Sequence, residues 1–97
     1  MEKRQYDENV EYLMKSILTL HSFDECLRFF EDLCTPSELL EMSRRLQAAR
    51  MLANNHLYSD IAEKTGLSTA TISRVNRCLK FGDDGYHTVI ERMAKKK

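Results

Sequence analysis

Apolar residues recur every three or four positions along almost the whole chain, and no stretch shows the alternation of a half-buried strand, so the sequence predicts an all-α protein. Val10, Leu13, Met14, Ile17 and Leu18 form a first stripe, which breaks at His21. Ser22 with Glu25 three residues later is the reciprocal cap that satisfies two orphan amides. It opens a second stripe of Phe23, Cys26, Leu27, Phe30, Leu33 and Cys34. "TPSE" at 35–38 is the sharpest local signal. Thr35 caps, Pro36 takes the first helical position, where its missing N–H costs nothing, and Glu38 closes the box. The long helix that follows is expected to line its face with Leu39, Met42, Leu46, Ala49 and Ala53. Asn54-Asn55 should stop it, because Asn tolerates the left-handed conformation that ends helices.

Two shorter helices follow. One, about Ser59 to Thr65, carries Ile61 and Ala62 inward and stops at Gly66, which takes positive φ at no steric cost. The other, about Ser68 to Phe81, buries Ile72, Val75 and Leu79. "GDDG" at 82–85 breaks the chain again, and a last helix shows Tyr86, Val89, Ile90 and Met93 before a lysine tail expected to fray. Six helices result, with no internal repeat and no long linker. A chain of 97 residues fits a single domain and buries little surface alone, so a second subunit is expected to share the apolar stripes.

Composition narrows the class of function. No apolar run approaches the roughly 20 residues that cross a bilayer, and the first ten residues, MEKRQYDENV, lack the features of an export signal, so a cytoplasmic location away from membranes is expected. Cys26, Cys34 and Cys78 are an odd number without a C-x-x-C pair, which reads as reduced, buried thiols. His21, His56 and His87 lack metal-ligand spacing and read as surface or cap residues, so no metal and no cofactor are expected. Neither paired carboxylates, a nucleophile with its base, nor a phosphate-binding glycine loop is visible, and the chain does not read as an enzyme. The formal net charge is zero, but residues 1–43 hold four Lys/Arg against ten Asp/Glu while residues 44–80 hold seven against two.

The basic segment contains "YSDIAEKTGLSTATISRVNR", whose packing logic is that of a helix-turn-helix. Ala62 stands where two helices cross closely, Gly66 in the turn, Leu67 just after it, and Ile72 and Val75 inside the second helix. That motif presents the start of its second helix to base edges in the major groove, where slim side chains let the helix approach. With Ser68 engaged as N-cap, Thr69, Ala70, Thr71 and Ser73 are expected to face DNA, the hydroxyls bonding donors or acceptors and the methyl groups meeting thymine. Lys64, Arg74, Arg77 and Lys80 would add a salt-dependent phosphate term.

From "LCTPSELLEMSRRL" through "TATISRVNRCLK" the sequence resembles the tryptophan repressor superfamily, in particular its small YerC/YecD-type branch. The resemblance covers about residues 33–81 well and the flanking helices loosely. It implies one TrpR-like domain over residues 1–97 that forms an intertwined homodimer. Its dimerisation helices would lie at about 7–54 and 86–95, and each chain would carry a helix-turn-helix head at about 58–81. In the tryptophan-dependent members two arginines sandwich the corepressor indole; their places match Arg45 and Arg74, and a threonine that helps hold the ligand matches Thr35. The family pattern has Gly directly after the second arginine and Ser four positions after it, where this sequence has Val75 and Cys78. Added bulk and a weaker hydrogen-bonding group both argue against tight tryptophan binding.

The sequence therefore points to a dimeric, sequence-specific transcription regulator acting on a palindromic operator in double-stranded DNA. Repression is expected because no segment reads as a domain that recruits polymerase. The alternative is a helix-turn-helix that grips a protein without specific DNA binding.

Overall fold

The computed structural model describes residues 7–96, in which six α-helices and no strands form. They are α1 (Glu8–Ile17), α2 (Phe23–Leu33), α3 (Pro36–Ala53), α4 (Tyr58–Thr65), α5 (Thr69–Phe81) and α6 (Gly85–Lys95). The end of the expected lysine tail, Lys97, lies outside the described residues. The chain divides into two units, the first ending at Pro36 and the second beginning at Ser37.

In the first unit the N-terminal ends of the helices are capped by side chains. Asp7 caps α1, its carboxylate accepting the Asn9 N–H at 2.6 Å. Ser22 accepts the Glu25 N–H at 3.1 Å, while the Glu25 carboxylate accepts the His21 N–H at 2.8 Å, one residue ahead of the reciprocal partner the sequence suggests. Neither helix has a buried residue: Leu18 is 81% exposed and Phe23 82%. Both stripes exist as sequence patterning without a core of their own. Cys26 is accordingly exposed and Cys34 only half-buried, contrary to the expectation of buried thiols.

The core belongs to the second unit. Ala48 and Ala49 of α3, Ile61 of α4, Leu67 of the turn, and Ile72, Val75 and Leu79 of α5 are buried together. Met51, Leu52, Tyr58, Ala62, Tyr86 and Ile90 pack around them. The inward face of α3 thus differs from the expected one. Of its five predicted residues only Ala49 is buried, while Leu39 and Met42 are half-buried and Leu46 and Ala53 exposed. The reason is that α3 carries two apolar faces. Ala48 and Leu52 lie roughly a third of a turn around the helix from the row of Leu39, Met42, Leu46 and Ala53, and the small alanines are the side that lets other helices approach.

Helix ends in this unit follow the sequence closely. Asn55 ends α3 with φ 65°, and the His56 and Asn55 amides donate to the carbonyls of Met51 and Leu52 at 3.0 Å each, closing the helix through a left-handed residue. Gly66 ends α4 with φ 75°, and its amide donates to the Ala62 carbonyl at 2.9 Å. Gly82 ends α5 for another reason: a Cβ there would collide with the Cys78 carbonyl oxygen. Helix α6 packs through Tyr86 and Ile90, leaving Val89 and Met93 exposed.

Candidate nucleic-acid interface

The end of α4 and the turn that leads to α5 are tied together by one buried polar residue. The Thr65 hydroxyl donates to the Ile61 carbonyl at 2.7 Å and accepts the Leu67 N–H at 3.2 Å, so the turn is braced from inside. Left-handed Gly66 then reverses the chain, and Leu67 drops into the core. Ser68 accepts the Thr71 N–H at 3.1 Å and caps α5 as its sequence position requires.

That framework sorts the residues of α5 by face. Ile72, Val75 and Leu79 point into the core, whereas Thr69, Ala70, Ser73, Arg74, Arg77 and Lys80 are exposed, together with Lys64 of α4. Thr71 departs from expectation. It is half-buried, and its hydroxyl accepts a 3.0 Å bond from Ser68, so it is less free than its three slim neighbours. Among the described residues Lys64, Arg74, Arg77 and Lys80 form no ion pair, whereas Lys15 is engaged by Glu11 at 2.6 Å and Arg28 by Asp24 at 2.8 Å. The exposed side of α5 is therefore slim at its leading end and carries unneutralised positive charge behind it.

Beside it, Arg45 of α3 and Arg74, Val75 and Cys78 of α5 line one depression of about 260 Å³, with Thr71, Glu41 and Tyr86 completing the wall. Four of the five positions proposed for an effector pocket thus meet in space; the fifth, Thr35, belongs to the first unit. Cys78 is exposed on this wall and not buried. Glu41 and Tyr86 escaped the reading of the sequence, although Glu41 stands one helical turn before Arg45, the spacing that puts two side chains on one face.

Residues 8–94 match the family model described as Trp repressor protein. The chain belongs to the Trp repressor family. It is 46% identical to YerC, an uncharacterized protein of Bacillus subtilis, over 86 residues that cover 89% of this chain and 83% of that one. The crystal structure of a TrpR-like protein from Eubacterium eligens superposes with a TM-score of 0.86 at 52% identity, covering 94% of each chain. A Staphylococcus aureus structure gives the same TM-score at 41% identity, over 95% of this chain and 92% of that one. The Trp repressor fold is that of helix-turn-helix DNA-binding regulators and not of an enzyme family. No described helix is long and apolar enough to cross a membrane.

Within this Trp repressor frame the two departures from the tryptophan-dependent pattern have a place. Val75 is 3% exposed, packed in the core while its edge forms part of the depression. A side chain packed in the same core cluster as Ile72 and Leu79 has little room to swing away and enlarge the space.

Proposed function

We propose that this chain is a sequence-specific transcriptional repressor that binds a two-fold symmetric operator as a homodimer and does not use tryptophan as its corepressor. The observation that carries the proposal is the division of α5 into a core face, a slim exposed leading end and a train of unpaired cations. A helix of that kind enters the major groove with Thr69, Ala70 and Ser73 against base edges, while Thr71 supports the helix start through Ser68. Arg74, Arg77, Lys80 and Lys64 then meet phosphates. Occupancy of the operator is enough to exclude other proteins, so repression needs no further machinery.

The homodimer is supported by what a single chain leaves uncovered. Val10, Met14, Leu18, Phe23, Leu27 and Leu33 are all exposed on α1, α2 and the segment joining them, and neither helix has a buried residue. Helices patterned this strongly bury their stripes against something, and a second copy offers matching stripes with two-fold symmetry. Selecting bound fragments from random duplex DNA tests the whole reading. A palindrome whose half-sites lie about one helical turn apart is expected. Absence of salt-sensitive retention on heparin or bulk DNA would favour instead a helix-turn-helix that grips a protein.

A further inference from the structure

We propose that His87 is a positioning residue for the DNA-reading helix: its imidazole ties the C-terminal end of α5 to α6 and so sets the separation of the two heads. This rests on the dimeric DNA-binding reading above. His87 Nε2 lies 2.7 Å from the Leu79 carbonyl oxygen. A carbonyl only accepts, so the proton sits on Nε2 and the ring donates. Leu79 is among the last four residues of α5, whose carbonyls have no partner within the helix. The preceding one, of Cys78, is taken by the Gly82 N–H at 2.9 Å.

The bond is part-buried and its surroundings support it. Tyr86 and Ile90, to either side of His87 on α6, pack against the core cluster that contains Leu79. The connection between the helices is only three residues long, 82–84, with Gly82 too close to the Cys78 carbonyl to carry a side chain and Asp84 at φ 65°. Helix α6 also leaves Val89 and Met93, 46% and 62% exposed, beside the stripe that packs on the core, apolar surface that a second copy could cover. His87 thus joins the element that reads DNA to one that a partner chain can hold.

Leverage makes the link matter. Thr69 stands ten residues before Leu79, about 15 Å along the helix axis at ~1.5 Å per residue. A tilt of roughly 10° at the anchored end therefore moves the leading end by about 2.6 Å, far beyond the tolerance of a base-edge hydrogen bond.

The test compares His87→Gln, whose amide nitrogen reaches about as far as Nε2, with His87→Asn, whose amide falls short. The full-length variants are titrated with the selected operator and with versions lengthened at the centre by one and two base pairs. In parallel, amide exchange of Gly82 is followed without DNA. His87→Asn is expected to lose about fivefold of the discrimination between correct and lengthened operators and to exchange Gly82 about fivefold faster, the factor matching one net hydrogen bond. His87→Gln should restore both. A general loss of stability would lower affinity for every spacing alike and leave the discrimination unchanged. Wild-type spacing preference and exchange in His87→Asn, or a His87→Gln as loose as His87→Asn, would overturn the proposal. Failure of the wild-type chain to bind any duplex would remove the DNA-binding reading and the spacing role with it, while Gly82 exchange would still report whether the link itself exists.

Discussion

Replacing Thr69 by Glu separates folding from DNA recognition, because the two are expected to move in opposite directions. Thr69 is the first residue of α5, exposed, and its hydroxyl has no partner among the described residues, so the substitution breaks no contact described there. The first turn of α5 carries no acidic residue. A carboxylate there meets the positive end of the helix and stabilises it by about 0.3–1 kcal/mol. For a domain of this size that raises the melting temperature by roughly 2–6 °C. Against DNA the same carboxylate replaces a slim contact and faces phosphate and base acceptors, at a cost of about 1–3 kcal/mol in each head. Two heads give about 2–6 kcal/mol, on the order of thirtyfold to ten-thousandfold in affinity. Differential scanning fluorimetry and fluorescence anisotropy with the selected operator read the two quantities on one preparation. A stabilised variant with wild-type operator affinity would remove the leading end of α5 from the interface, and a variant that loses both together would show that Thr69 supports the fold.

Truncating Arg77 to Ala should weaken binding to all sequences alike and lower the log–log salt slope by about one per head, measured by anisotropy at several ionic strengths. Gly82→Ala forces a Cβ onto the Cys78 carbonyl and should destabilise the chain by about 1–3 kcal/mol in urea titrations; an unchanged midpoint would mean that the α5–α6 corner yields easily. Thr65→Val keeps the volume but leaves the buried Leu67 amide without its acceptor, an expected loss of about 1–3 kcal/mol by the same measurement. Tryptophan should leave the melting temperature unchanged, whereas a ligand at a hundredfold excess over its dissociation constant would add about 2.7 kcal/mol. A clear upward shift with tryptophan would refute the argument from Val75.

Punctuation was the most legible level of the sequence. Ser22, Ser68, Pro36, Gly66 and Asn54-Asn55 act locally, each through its own backbone or the next turn, and all five mark helix boundaries where the structure has them. Faces were harder, since an inward direction depends on what stands opposite. Helix α3 shows this: its row of larger apolar residues looked like the core side, yet the close approach is made by Ala48 and Ala49. The depression beside α5 was half legible. Arg45, Arg74, Val75 and Cys78 came from the family pattern, but Tyr86 arrives from another helix, and periodicity within one segment carries no sign of it. Thr65 was hidden because a hydroxyl in a last helical turn has no signature that distinguishes a brace of the turn from a solvated side chain.

On α5 the residues that build the interior and those turned toward solvent are different sets, with only Thr71 shared through its bond to Ser68. Thr69, Ala70 and Ser73 are exposed and lie outside the core cluster, so exchanging them one at a time leaves that cluster intact. The vocabulary of such a protein can drift faster than its architecture, and paralogues with the same shape need not answer to the same control sequence.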